Sequence, residues 1–149
     1  MYHFGYGSNL QFDFLKTLLP SAKFAMKGYL LNHEVQFNFW SKKKKAGISN
    51  AMPAPGKMVH GALYEVPRKE MEILDEMDGV YKGDYRRRTF LILGEDGNIH
   101  PADLYQVIDP QGPFPPSKVY VEGMLTGARE IGLDPTYIKT IEQFYEKSQ

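Results

Sequence analysis

The sequence predicts an α+β chain, and three observations carry the prediction. Aromatic and branched residues alternate with other residues at period two in Tyr2-Phe4-Tyr6 and recur in strand-like runs across residues 23–39, 58–66, 86–93 and 99–108. Helical stretches with recognisable start and stop signals fall at residues 10–19 and 68–77, after Ser117 and after Asp134. The regular strand–helix repetition of a doubly wound sheet is absent. At 149 residues the length favours one domain, residues 1–149, large enough for a real core.

Taken in order, the first strand stops at Gly7-Ser8-Asn9, and Leu10 to Leu19 suits a short helix closed by Pro20. Ser8 or Asn9 is the expected N-cap, and Gly7 can take a backbone angle closed to other residues. Residues 23–39 suggest two strands around a turn near Asn32-His33, and Lys42 to Lys45 reads as a solvated hairpin tip. Pro53, Pro55 and Gly56 mark a loop before a strand over Met58–Val66. His60, with no second ligand at metal spacing, reads as structural. Pro67 opens a helix over Arg68–Met77, and Gly79 fits its C-terminal cap. Arg86 to Leu93 and Ile99 to Ile108 pair across Glu95-Asp96-Gly97-Asn98, with at least one of Arg86, Arg87 and Arg88 facing solvent. After a proline-rich loop, Ser117 caps a helix whose stripe is Tyr120, Met124, Gly127 and Ile131, with Gly123 and Gly127 permitting close approach. Asp134-Pro135 starts the last helix, which turns Tyr137, Ile141 and Phe144 inward.

Composition narrows the functional classes. Acidic and basic residues balance at 18 each, so no global field draws nucleic acid or an anionic membrane. Zero cysteine removes disulfides, thiolate nucleophiles and cysteine metal sites, in keeping with a reducing compartment. With no spanning run and no signal-peptide layout, the chain is expected to be soluble and cytoplasmic. Ten tyrosines and nine phenylalanines exceed what an aliphatic core needs, and tyrosine suits pockets for small polar molecules.

Two stretches carry chemistry. At the N-terminus, a strand–glycine–cap–helix junction aims unpaired N–H groups one way and can form an anion site. Gly5-x-Gly7 begins like a dinucleotide fingerprint, but Leu10 stands at the third glycine. Leu10 likewise breaks the G-x-S-x-G pattern that Ser8 would need as a hydrolase nucleophile. A capping turn without a ligand remains the plain alternative. In the 68–77 helix, Met71, Leu74 and Asp78 share one stripe, while Asp75 and Glu76 are expected to point more toward solvent. Apolar neighbours and the helix C-terminus both raise the pKa of a carboxylate at Asp78 and make it a better base. A simple turn with Gly79 is the other reading of Asp78.

Tyr6-Gly7-Ser8-Asn9-Leu10 behind an aromatic strand resembles the signature of the γ-glutamylcyclotransferase family. Leu74-Asp75-Glu76-Met77-Asp78-Gly79 is similar to that family's Leu-Asp-x-x-Glu-Gly. Tyr85, and the run Pro116-Ser117-x-x-Tyr120 followed by Gly127-Ala128 and Gly132-Leu133, extend the likeness over nearly the whole chain. The resemblance implies a small mixed β-barrel flanked by helices. It implies conversion of a γ-glutamyl amide to 5-oxoproline with release of an amine, without a cofactor or metal, and it allows a homodimer. It places Asp78 as the catalytic acid/base. Tyr6, Gly7, Ser8, Asn9, Leu10, Tyr85 and Tyr120 are then the substrate-binding residues.

One departure matters. Asp78 stands where the family has glutamate, which sets the carboxylate back by roughly 1.5 Å. A shift of that size costs on the order of 100-fold in rate if nothing compensates. Glu76 is a poor substitute, since it lies about 200° around the helix from Asp78. The implied chemistry asks for a base near the α-amine, a grip on the bent substrate, and donors for either the α-carboxylate or the oxyanion from the Gly7–Leu10 backbone. A protein that binds γ-glutamyl ligands without turning them over is the alternative.

Overall fold

The computed structural model describes residues 1–149. Five strands and four α-helices follow in order: β1 (Tyr2–Gly5), α1 (Phe12–Leu18), β2 (Lys23–Ser41), β3 (Ala46–Glu65), α2 (Arg68–Met77), β4 (Tyr85–Gly94), β5 (Ile99–Val107), α3 (Lys118–Ile131) and α4 (Pro135–Glu146). The strands close into a barrel in the order β1-β3-β2-β4-β5. Every neighbouring pair is antiparallel except β1 and β5, which meet in parallel at His3 and Asp103. The expected mixed barrel flanked by helices is the observed architecture. Closure leaves no free sheet edge, as a barrel must to satisfy its backbone groups.

Two sequence expectations fail along β2 and β3. No turn forms at Asn32-His33, and β2 runs on unbroken to Ser41. Asn32 instead takes a positive φ of 59° at a register irregularity between Leu31 and His33. The proline segment opposite is not a separate loop. It bulges within β3, where Pro53 pairs with His33 and Met58 pairs with Leu31. The Asn32 side chain accepts from the Gly56 amide at 3.0 Å, which ties the bulge shut. The Lys42–Lys45 tip does join two strands, as expected.

Two buried clusters fill the molecule. One packs Phe4, Tyr6, Leu30, Phe37 and Leu104 against Met124 and Ala128 of α3 and Ile141 of α4. The other packs Leu15 and Leu19 with Tyr64, Met71, Leu74, Tyr85 and Tyr105. The predicted caps of the last two helices form: Ser117 accepts from the Tyr120 amide at 3.2 Å and Asp134 from the Thr136 amide at 2.8 Å.

The two α3 glycines separate in role. A Cβ on Gly127 would collide with the Leu10 carbonyl and come within 2.6 Å of the Gln11 amide, whereas one on Gly123 meets only the Gln11 side chain at 3.3 Å. Gly127 therefore lets α3 press against the backbone that follows β1. We expect Gly127→Ala to lower stability by about 2–3 kcal/mol in urea unfolding, because backbone cannot yield as a side chain can. Gly123→Ala should move it by under about 1 kcal/mol.

Candidate functional site

The end of β1 enters the site as a tight turn. Ser8–Leu10 forms one 3-10 turn, and α1 begins only at Phe12 with Gln11 before it. Neither Ser8 nor Asn9 caps that helix, contrary to the sequence expectation, and the seven-residue α1 is too short and too far along to aim a dipole here. The turn is held by other means. Its Leu10 amide donates to the Gly7 carbonyl at 3.1 Å, the Ser8 amide donates to the Tyr120 hydroxyl at 3.3 Å, and Tyr64 donates to the Asn9 carbonyl at 2.6 Å. The amides of Gly7 and Asn9 find no acceptor within the protein.

A buried histidine fixes the remaining side chain of the turn. His3 Nδ1 donates to the Asp103 carbonyl at 3.0 Å, and its Nε2 accepts from the Asn9 side-chain amide at 2.9 Å. These partners assign the neutral tautomer. Burial holds the imidazole pKa down at about 4, so it stays neutral as the turn requires.

Gly7 takes φ −114° and ψ −119°, outside the helical and extended regions, as expected of a position closed to other residues, although not in the left-handed region. A Cβ there would also collide with Ser49 Oγ and lie 2.7 Å from the Tyr120 hydroxyl. Ser49 and Tyr120 are themselves hydrogen-bonded at 2.8 Å. The turn is thus pressed onto a serine–tyrosine pair that joins β3 to α3.

Facing the turn stands the C-terminal end of α2. Asp78 closes this helix, with its amide on the Leu74 carbonyl at 2.8 Å, and Gly79 follows at φ 68°. The Asp78 carboxyl makes no hydrogen bond or ion pair within the protein. It keeps an accessible edge toward the cavity, while protein surrounds it elsewhere. Burial raises its pKa to about 7; the Lys44 ammonium opposes that rise and the Asp75 carboxylate adds to it. The hydroxyls of Tyr6, Tyr85, Tyr105 and Tyr120 are held above the ordinary tyrosine value, first by burial and further by the Asp78 charge, so they remain protonated.

Asp75 corrects the helical reading. It is buried, 7% exposed, accepting from the Tyr105 hydroxyl at 2.7 Å and forming an ion pair with Arg87 Nε at 3.3 Å. Met71 and Asp75 are one full turn apart, so Asp75 belongs on the same stripe as Leu74 and Asp78. Of the three arginines, Arg87 turns inward to meet it, and Arg86 and Arg88 face solvent.

These groups line one cavity of about 670 Å³. Of the residues singled out in the sequence, Tyr6, Gly7, Ser8, Asn9, Asp78, Tyr85 and Tyr120 line it together. Leu10 does not: its side chain is fully buried in the core against α3, and its amide is committed to the turn. Tyr6 and Tyr85 present their rings, because their hydroxyls donate to the carbonyls of Tyr105 (2.6 Å) and Ser49 (2.9 Å). Sequence reasoning missed Ser49, Tyr105 and His3, and it left the Lys42–Lys44 tip outside the site although all three lysines line the cavity. The polar Ser49-Asn50 pair in the otherwise apolar first half of β3, residues 46–54, was the available signal for Ser49. No group of three or more histidine, aspartate or glutamate side chains is arranged to hold a metal ion. His60 lies elsewhere, stacked on Tyr137 with ring centroids 4.3 Å apart.

Known proteins resemble this chain in sequence and in fold. The profile of the AIG2-like family matches residues 58–141. A γ-glutamylcyclotransferase of Mus musculus is 29% identical over 147 residues, covering 94% of this chain and 78% of its own length. The Homo sapiens γ-glutamylcyclotransferase is also 29% identical over 147 residues, with the same 94% and 78% coverage. A solved γ-glutamyl cyclotransferase structure superposes with a TM-score of 0.90 at 26% identity, over 95% of this chain and 86% of that one. The chain is a distant relative of these γ-glutamylcyclotransferases and belongs to the AIG2-like family.

Proposed function

We propose that this protein converts a γ-glutamyl amide to 5-oxoproline and a free amine. The observation that carries the reading is Asp78: a carboxyl with no protein partner, its pKa raised to about 7, sharing a cavity with the two unpaired amides of the β1 turn. A carboxylate so placed can take a proton from an α-ammonium near neutral pH. The freed amine attacks the γ-carbonyl carbon of the same molecule, forming the ring C–N bond and a tetrahedral oxyanion. Protonated Asp78 then gives its proton to the original amide nitrogen as that C–N bond breaks, and the regenerated carboxylate takes the second proton from the ring nitrogen and passes it to the departing amine, leaving neutral lactam N–H and an ammonium product.

Both reacting groups belong to one substrate, so holding it bent supplies much of the acceleration. The Gly7 and Asn9 amides are the donors for the negative charge at the α-carboxylate or the oxyanion. The raised hydroxyl pKa values of Tyr85 and Tyr120 keep both rings neutral beside the Asp78 charge.

Asp78 in place of the glutamate of the resembling motif favours one second reading, a γ-glutamyl-binding protein with lost turnover. Incubation with a panel of γ-glutamyl amides separates them. The cyclisation reading expects 5-oxoproline and amine in equal amounts; glutamate in place of 5-oxoproline would mean hydrolysis, and saturable binding without product would favour the second reading.

A further inference from the structure

The Lys42–Lys45 tip is more than a solvated turn. Its backbone is set by the Lys45 amide donating to the Ser41 carbonyl at 2.7 Å, the Lys44 amide donating to Ser41 Oγ at 3.1 Å, and a positive φ of 53° at Lys45. That geometry presents Lys42, Lys43 and Lys44 to the cavity wall, where Lys82 joins them from the turn after α2. Lys44 Nζ stands 5.4 Å from the centre of the Tyr120 ring, whose hydroxyl accepts from the Ser8 amide. The lysine tip therefore reaches the same structure that holds the β1 turn.

The charges here do not balance. Four lysines line the cavity against two aspartates, Asp78 and Asp84, and no arginine or glutamate is present. None of the four lysines has a carboxylate within 4.0 Å; the lysine ion pairs of the molecule are Lys27 with Glu95 and Lys57 with Glu34, on other surfaces. The α-ammonium and α-carboxylate of a γ-glutamyl head cancel, so that head supplies no net countercharge. What remains unmatched is an excess of about two positive charges.

We propose that the Lys42–Lys44 tip and Lys82 form a subsite for an acidic leaving group, so that the preferred substrates are γ-glutamyl conjugates whose departing amine carries two carboxylates. This rests on the γ-glutamyl reading and narrows it. A carboxylate seated on Lys44 also cancels the ammonium that works against Asp78, so a matching substrate strengthens the base as it binds.

The test compares γ-glutamyl-glutamate, its isostere γ-glutamyl-glutamine with one carboxylate fewer on the departing amine, and the shorter γ-glutamyl-methylamide with none. Exposed pairs contribute modestly, so kcat/KM for the glutamate conjugate should exceed that for the glutamine conjugate by about fivefold at low salt. The ratio should shrink toward about twofold in 0.5 M NaCl. It should also fall in the Lys42→Gln/Lys43→Gln double variant and in Lys44→Gln, all at exposed positions. A ratio of one or less, or one indifferent to these substitutions, overturns the subsite while leaving the cyclisation intact. Turnover of none of the three instead overturns the proposed reaction. Calorimetric Kd values of the Asp78→Asn variant for the same three compounds then decide the subsite independently: tighter binding of the dicarboxylate supports it, and equal binding overturns it.

Discussion

Replacing Asp78 by asparagine is expected to reduce 5-oxoproline release by between about 10² and 10⁴, the range lost when a positioned acid/base is removed. The amide is nearly the same size as the carboxyl, and no partner of Asp78 is left unsatisfied, since it has none in the protein. Substrate affinity should therefore change little while kcat collapses. The pH profile follows from the sign of the shift. Asp78 must be ionised to act as a base and its pKa lies near 7, so kcat/KM of the native protein should fall as the pH drops through that value rather than near 4. The residual activity of the Asp78→Asn variant should lack that step. Loss of affinity in parallel with loss of rate would instead mark Asp78 as a binding residue.

Gly7→Ala carries the second large effect. The new methyl would occupy the place of Ser49 Oγ and press within 2.7 Å of the Tyr120 hydroxyl, so either the turn lifts or the Ser49–Tyr120 pair parts. Either outcome moves the unpaired amides by a good part of an ångström. We expect kcat/KM to fall on the order of 100-fold, with a destabilisation of about 1–3 kcal/mol measured by urea titration. Ser49→Gly removes the obstructing hydroxyl, so the double variant should recover part of the loss. Failure of that rescue would place the fault in the Gly7 backbone instead.

What the sequence revealed, and what it hid, divides along a physical line. Local signals were readable: the Ser117 and Asp134 caps, the Gly79 helix end and the Asp96-Gly97 turn are each decided by a few neighbouring atoms. The barrel was visible only through resemblance, because its closure depends on β1 meeting β5 a hundred residues away, at His3 and Asp103. Asn32 looked like a turn because it tolerates positive φ. It does adopt that conformation, but in a bulge that long-range pairing with β3 imposes.

The site shows the same division. Asp78 announced itself by its place on the α2 stripe. Asp75 did not, since a carboxylate on an apolar face is explicable only once Arg87 and Tyr105 are known to face it from β4 and β5. Ser8 and Asn9 were read as caps from their type alone, yet tertiary partners, Tyr120 and His3, hold the turn. The lysine run was placed correctly at a strand tip. Its approach to the cavity followed from the length of β2 and β3, 19 and 20 residues, which the proline segment concealed.

On the proposed reading, burial turns Asp78 into a proton carrier at neutral pH. Carbon-13 NMR titration of the side-chain carboxyl carbons, with Asp78 assigned by its disappearance in the Asp78→Asn variant, measures this directly. The expected midpoint for Asp78 is about 7. A midpoint near the ordinary aspartate value of about 4 would contradict it.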